Sequence, residues 1–333
     1  MAAFRDSSDF IEPASDDSAS SFSLGSFAIG SDYASTFDQE SLVGSLTNSV
    51  YEHVYENGRR YHSYKLGRYP MPNDDKEYQR ETVRNALFTD ILGGKLHLAP
   101  IGDQPQKMID IGTGFGDWVI DAADRYPSAK VIGLDLSPIQ PSWVPGNVEF
   151  VIDDVEENAW IHGSGYDFAH FRLMVAILKD LSSVLVNEIV PRIGCQNGSL
   201  PDDYAVDRFY QLLADVQKRK FGWDFSAAEK LPTQLASLGF HNIQRKVFHV
   251  PVGLWPKEKN RMQQAFLFRE ILTELLEALQ SKPFNGHDPD VGLTKPEIDT
   301  LFDGVRAALS DKKVHAYIPI HFVWAQKPLL TPT

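Results

Sequence analysis

The sequence contains almost no cysteine, since Cys195 stands alone among 333 residues. A single cysteine excludes an intramolecular disulfide, so we expect a reducing compartment such as the cytoplasm. Cys195 has no activating neighbour in the sequence and is not a candidate nucleophile. The ten histidines form no His-Glu-x-x-His pattern and no Cys/His cluster, so we expect no metal site.

Basic residues are scarce relative to acidic ones, and the formal net charge is −13. An acidic chain does not bind phosphate backbones nonspecifically, so nucleic acid is not an expected partner. The sequence has no run of about eighteen apolar residues, so we expect no membrane span. The short basic cluster at 218–220 is typical of a solvated helix face, with a nuclear import signal as the alternative.

The first 48 residues lack the composition of a folded segment. They hold twelve serines, eight acids and one arginine. Such a segment buries too little apolar surface to offset its ordering entropy, so we predict disorder. It has neither the basic start and apolar core of a secretory signal nor the arginine content of a transit peptide.

One apolar run ends in an acid, Asp110, and in three alternating glycines, Gly112, Gly114 and Gly116. This pattern predicts a buried strand, a turn with almost no side chains, and a helix that begins at the next residue. Such a turn lets a ligand approach the unpaired N–H groups at the start of the helix. A glycine turn that only allows close packing of helix and strand is the alternative.

The spacing of this turn distinguishes between nucleotide ligands. A dinucleotide fingerprint needs its third glycine at the position of Asp117, and a carboxylate is poorly placed beside a pyrophosphate. A phosphate-binding loop needs a Gly-Lys-Ser/Thr ending, and this turn has no lysine. The remaining class of ligand has adenosine at one end and no phosphates, and S-adenosylmethionine fits that description.

Two later apolar runs also end in acids. Asp135 lies 25 residues after Asp110, close to the spacing at which a carboxylate meets ribose hydroxyls. Asp153 or Asp154 follows the next run and is predicted to accept from an adenine amino group, with a helix cap as the alternative. Because ligands of open α/β sheets bind at the carboxyl edge of the strands, we expect these acids at one site.

Five longer segments match a family pattern. They are GRRYH at 58–62, GRYPMPND at 67–74, KLHLAP at 95–100, DLSPIQPSWVP at 135–145 and GSLPDD at 198–203. Through them the chain resembles the LaeA-like fungal methyltransferases, class I S-adenosylmethionine-dependent enzymes associated with secondary metabolism. The resemblance runs from about residue 51 to residue 328.

This resemblance implies an α/β fold, a Rossmann-like class I methyltransferase sheet with helices on both faces and helical additions over the site. After the tail at 1–48, which composition predicts to be disordered, it implies an N-terminal helical lid region at 49–100 and a methyltransferase domain at 101–330. Helices are expected to be inserted at about 202–236 and 258–310. The apolar patterns at 242–252 and 314–325 predict the final antiparallel pair of strands.

The resemblance also assigns roles to residues that match the family. The turn from Asp110 to Gly116 would hold the methionine end of S-adenosylmethionine, Asp135 its ribose, and Asp153 or Asp154 its adenine. Residues 61–74 would form a lid over the cofactor, which makes Tyr61, Tyr64 and Arg68 candidates for the site. Packing and turn formation are the alternative role for these three residues.

The chain departs from the family after a predicted fourth strand at 166–172. The family's Lys-Pro-Gly-Gly turn is absent, and residues 185–197 run almost directly into the GSLPDD segment. We therefore expect the fifth strand to be shortened or missing. Residues 189–195 are a poor substitute, because Pro191 removes a hydrogen-bond donor and Gly194 weakens a strand interior.

Two functions remain open. The first is methyl transfer to a small secondary-metabolite acceptor, and the Trp and Phe content suits a flat, apolar one. His62, His162 and His170 are candidate bases by residue type alone, so no catalytic residue is assigned. The second is a noncatalytic or regulatory protein that acts through protein partners, with the nucleus as a second location.

Overall fold

The structure is a computed structural model that describes residues 10–14, 51–156, 160–174, 176–177, 186–189 and 192–327. The strands are β1 (His53–Glu56), β2 (Arg59–His62), β3 (Lys107–Ile111), β4 (Lys130–Asp135), β5 (Val148–Ile152), β6 (Phe168–Phe171), β7 (Val186–Ile189), β8 (Gly194–Cys195), β9 (His241–Val252) and β10 (Ala316–Gln326). The helices are α1 (Asp75–Ile91), α2 (Asp117–Arg125), α3 (Ala205–Phe221), α4 (Ala227–Ser237), α5 (Lys259–Ser281) and α6 (Lys295–Ala308). Within these described ranges, no helix is both long enough and apolar enough to cross a membrane.

Four parallel strands form the sheet that carries the predicted turn. Their order is β5-β4-β3-β6, so β3 is central and is flanked by β4 and β6. Asp110 of β3 lies opposite Gly133 of β4 and His170 of β6. Because the strands are parallel, the ends of β3, β4 and β5 share one edge. The predicted α/β class is confirmed.

The second sheet is built around β10, which pairs antiparallel with β9 along almost its whole length. The predicted final antiparallel pair is therefore confirmed. On its other side, β10 pairs antiparallel with β7 and with β8. Within the described residues, hydrogen bonding divides the strands of the core into this sheet and the parallel sheet.

The fifth strand of the core is shortened and not missing. It is β7, which has four residues and ends at Ile189, the first residue of the segment 189–195 that was expected to be a poor substitute. In the described part of that segment, Gly194–Cys195 forms the two-residue strand β8. Pairing with β10 gives the backbone groups of β7 their partners, which allows a strand with the polar residues Asn187 and Glu188.

The chain between β7 and β8 contains more residues than the strand opposite it. Ile189 pairs with Ile320 and Gly194 pairs with Tyr317. Five positions therefore separate the two residues on one side, and three positions separate their partners on β10. The connection between the two strands is therefore two residues longer than the facing stretch of β10.

Alternate residues of β3 supply the two faces of the parallel sheet. Met108 packs with Trp118 and Ala122 of α2 on one face. Ile109 and Ile111 pack with the buried leucines of α4 on the other. The helices α1, α3, α5 and α6 pack with β9 and β10 in a further apolar core.

Residues 10–14 differ from the disorder expected for the tail. The Ala14 N–H donates to the Trp255 carbonyl at 2.8 Å, and the Lys257 N–H donates to the Glu12 carbonyl at 2.8 Å. Ile11 is 2% exposed. An apolar side chain and two backbone hydrogen bonds hold this segment in place. The rest of the predicted disordered tail, at residues 1–9 and 15–48, lies outside the described residues.

Candidate functional site

The turn after β3 depends on glycine at two positions for different reasons. Gly112 and Gly114 have φ angles of +75° and +58°, in the region that favours glycine. A Cβ atom at Gly112 would lie 2.4 Å from the Met174 sulfur, whereas a Cβ at Gly114 would meet no atom within 4 Å. A side chain at Gly112 would therefore displace the end of the Met174 side chain, whereas Gly114 leaves open space above the turn.

Hydrogen bonds fix the turn to the neighbouring strand. The N–H groups of Gly112 and Thr113 donate to the Leu134 carbonyl at 2.8 and 3.0 Å. The Gln140 side-chain amide donates to the Gly114 carbonyl at 2.6 Å and to the Ser137 carbonyl at 2.9 Å. Sequence reasoning did not single out Gln140, whose only signal was its place in the 135–145 segment.

Asp135 at the end of β4 lies directly beside this turn. Its carboxylate accepts from the Gly114 N–H at 2.7 Å and from the Ser137 N–H at 2.9 Å. Burial raises the pKa of Asp135, and the two N–H donors oppose that shift. A carboxylate has about four lone-pair sites, so two remain for the hydroxyls of a ligand. Asp135 and Gly114 line the same cavity.

Asp153 and Asp154 follow β5 and line this cavity as well. Asp153 accepts from the Asp154 N–H at 2.8 Å, and its other oxygen lies 2.8 Å from the His162 Nε2 atom. Asp154 accepts from the Glu156 N–H at 3.0 Å. Hydrogen bonds within the segment after β5 thus hold both carboxylates at the sheet edge where β3 and β4 also end.

The segment before α1 covers the cavity through Arg68, Tyr69, Met71, Pro72 and Asn73. The Arg68 Nε atom lies 3.3 Å from an Asp154 carboxylate oxygen, and the Arg68 guanidinium also donates to Glu156. Of the three residues proposed from the lid, the structure therefore brings Arg68 to the cavity.

The structure places Tyr61 and Tyr64 elsewhere. The Tyr61 hydroxyl lies 2.7 Å from the Ser281 hydroxyl at the end of α5, because β2 directs this buried side chain toward that helix. The Tyr64 carbonyl lies 2.5 Å from the His62 Nδ1 atom. Neither tyrosine lines the cavity within the described residues.

Asp110 and Gly116 lie beside the cavity without lining it. Asp110 is buried, and its carboxylate lies 2.8 Å from the His170 Nδ1 atom across the strand pair. Gly116 is the N-cap residue of α2. These two residues lie next to the turn, while Gly112 and Gly114 face the cavity.

The three histidines considered as bases have structural partners. His170 stacks on Trp118 with ring centroids 4.0 Å apart, and burial lowers its pKa against the opposing effect of Asp110. Both ring nitrogens of His62 face main-chain carbonyls, and His162 contacts Asp153. In the described part of the chain, none of the three lines the cavity. No base is assigned.

Charged residues of α1 form a wall of the cavity that the sequence reasoning missed. Glu77, Glu81 and Arg84 line it, and Arg172 joins them from the end of β6. Arg80 lies behind them and donates to Glu77 at 2.5 Å. The signal in the sequence was opposite charges three positions apart, which is also the pattern of an exposed helix.

The remaining lining is largely apolar, with Leu136, Ile139, Leu173, Met174 and Ile177. Among the described residues, no group of three His, Cys, Asp or Glu side chains is arranged to hold a metal ion. The cavity therefore combines a bare backbone turn, carboxylates at two strand ends and apolar side chains.

Comparison with known proteins gives concordant matches. The family described as "Methyltransferase domain" matches residues 83–188. "Methyltransferase pytC" of Aspergillus terreus is 35% identical over 310 residues, covering 89% of this chain and 94% of the relative. "Secondary metabolism regulator LAE1" of Cochliobolus heterostrophus is 31% identical, covering 82% of this chain and 94% of the relative.

The chain belongs to the LaeA-like fungal methyltransferases. S-Adenosylmethionine is the cofactor of this family, and the cavity of this LaeA-like methyltransferase has the groups that such a ligand requires. The space above Gly114 is open, Asp135 retains lone pairs for hydroxyls, and a further carboxylate pair stands at the next strand end.

Proposed function

We propose that this chain transfers a methyl group from S-adenosylmethionine to a small secondary-metabolite acceptor. The observation that carries the proposal is the hydrogen bond between the Asp135 carboxylate and the Gly114 N–H, since it places a hydroxyl-binding acid and an open backbone turn in one cavity. When bound, the cofactor supplies an electrophilic methyl group on a sulfonium sulfur.

In this proposal the residues at the strand ends hold the cofactor along its length. Gly112 and Gly114 face its methionine end, where the α2 N-terminus offers N–H donors. Asp135 accepts from the ribose hydroxyls. Asp153 or Asp154 accepts from the adenine amino group, and Arg68 closes the lid on that side through Asp154.

The apolar lining supports a small and largely apolar acceptor. Met71, Ile139 and Met174 line the cavity together with Tyr69. Side chains of this kind exclude water and align the two reactants, which accounts for much of the barrier reduction in a displacement reaction. We propose that the protein acts mainly through this alignment.

A regulatory role is the second candidate, and the names of relatives favour it. LAE1 and the laeA protein of Aspergillus fumigatus, which is 28% identical over 82% of this chain and 76% of the relative, are called secondary metabolism regulators. In that case the chain would act through protein partners, and the nucleus would be its location. For the enzyme we propose the cytoplasm and no direct contact with nucleic acid, given the net charge of −13.

Calorimetric titration with S-adenosylhomocysteine tests cofactor binding, with Gly114→Val as the variant expected not to bind. Incubation with methyl-labelled S-adenosylmethionine and a fungal metabolite extract then tests turnover. Label in small organic molecules supports the enzyme. Cofactor binding without transferred label supports the regulatory role, and no binding by the folded wild-type chain contradicts both cofactor-dependent proposals.

A further inference from the structure

The helix wall of the cavity carries two hydrogen-bond donors that have no partner. We use this name for Asn73, Glu77, Glu81 and Arg84, all of which line the cavity. Asn73 lies just before α1, and the other three lie on it. The chemistry of this wall follows from which of its polar atoms already have partners.

Each carboxylate oxygen of the wall accepts a hydrogen bond from an arginine of the same helix. Both Glu77 oxygens accept from Arg80, at 2.5 and 3.0 Å. One Glu81 oxygen accepts from Arg80 and the other from Arg84. The four carboxylate oxygens of the wall are therefore bound within the protein.

Two donors of the wall have no partner. The Asn73 Nδ2 and Arg84 Nε atoms are buried and make no hydrogen bond. The orientation of the Asn73 amide is fixed, because its oxygen accepts from the Arg60 Nε atom at 3.1 Å and its carbonyl accepts from the same guanidinium. Asn73 is 2% exposed. Buried donors without partners are costly unless a ligand meets them.

Two further arginines lie close enough to Arg84 to affect its charge. Burial lowers the pKa of the Arg84 guanidinium, and Arg80 and Arg172 lower it further against the opposing effect of Glu81. An anion placed here would relieve the repulsion among these arginines. The unpartnered donors and the charge both favour a ligand oxygen that carries negative charge.

We propose that Asn73 and Arg84 bind an anionic oxygen of the methyl acceptor, so that the acceptor is an apolar molecule with a carboxylate, phenolate or enolate group. This inference rests on the proposed methyltransferase function, in which the glycine turn and the α2 N-terminus already serve the methionine end of the cofactor. The helix wall is then left for the acceptor, whose apolar part contacts Met71 and Met174.

The test measures binding of matched aromatic acids and carboxamides, beginning with 2-naphthoate and 2-naphthamide, to protein saturated with S-adenosylhomocysteine. We expect the wild-type chain to bind the acids about tenfold more tightly than the amides. Asn73→Asp, which keeps an acceptor for Arg60 but removes the donor, and Arg84→Gln should abolish that preference. Lys76→Gln removes a charge from the exposed side of α1 and should preserve it.

Three results would overturn the inference. The first is equal binding of every acid and its amide by the wild-type chain, and the second is a preference for acids that survives in both variants. The third is a loss of S-adenosylhomocysteine affinity of about tenfold in Asn73→Asp and Arg84→Gln with unchanged affinity for 5′-methylthioadenosine, which would assign the donors to the cofactor's own carboxylate. Failure of the wild-type chain to bind S-adenosylhomocysteine would instead contradict the proposed function.

Discussion

The carboxylate of Asp135 accepts a 2.7 Å hydrogen bond from the N–H of Gly114, which joins the end of β4 to the turn after β3. A second bond from the Ser137 N–H holds the other oxygen. One side chain thus supports the shape of the turn and offers lone pairs to the cavity. Changes at either residue affect both the turn and the ligand site.

Asp135→Ala should weaken S-adenosylhomocysteine binding by about 1 to 3 kcal/mol, because charge-assisted hydrogen bonds to the ligand are lost. Calorimetry measures this loss. Asp135→Asn keeps an acceptor for one of the two backbone N–H groups and separates loss of charge from loss of turn support. Unchanged affinity in both variants would remove Asp135 from the ligand site.

Gly114→Val should abolish cofactor binding while leaving the chain folded. The side chain would enter the open space above the turn, and the positive φ angle would cost about 1 to 2 kcal/mol of stability. Gly102→Val is a matched control, because Gly102 has a φ angle of +78° and open space around it but is an exposed residue outside the cavity. Thermal denaturation and calorimetry should show similar destabilisation in both variants and lost binding in Gly114→Val alone.

Arg68→Gln should speed the release of S-adenosylhomocysteine, because the lid loses its contacts with Asp154 and Glu156. The pair is partly exposed, so the change in binding free energy should be about 1 kcal/mol or less and should shrink at high salt. Stopped-flow measurement of ligand release checks this result, with Lys65→Gln as a neighbouring change of equal charge. Equal release rates in Arg68→Gln and wild type would exclude a lid role for Arg68.

Asp117→Asn should stabilise the protein most above pH 6. Burial raises the pKa of Asp117 to about 6, with Arg172 opposing the shift. The unfolded carboxyl ionises near pH 4, so the folded state is penalised progressively between about pH 4 and 6 and fully above that range. Urea unfolding should show a gain of about 1 to 3 kcal/mol at pH 8 and a smaller gain at pH 4.5. Asp124→Asn removes one carboxylate from the exposed side of the same helix and is the matched control.

The turn after β3 was predictable because its requirements are local. Gly112 and Gly114 mark backbone conformations that other residues rarely adopt, and these can be read from residue type alone. The position of Asp135 was predictable for a similar reason. The carboxyl ends of parallel strands all lie at one edge of the sheet, so an acid at such an end must lie there.

The helix wall could not be read from sequence. Glu77, Arg80, Glu81 and Arg84 have the spacing of a solvated helix, and only tertiary packing buries Glu77 and Arg80 and partly buries Glu81 and Arg84. The position of Tyr61 depends in the same way on the direction of β2. The position of Ile11 depends on hydrogen bonds between its neighbours and residues distant in the sequence. Tertiary contacts decide all of these cases.

The long strand β10 sets the registers of β7 and β8 at separate positions along its length. The two short strands are separated by two more residues than their partners on β10. Since each strand is held by its own pairing with β10, we expect residues inserted between them to shift neither register. The connection after the fifth strand can therefore change in length without changing how that strand joins the antiparallel sheet.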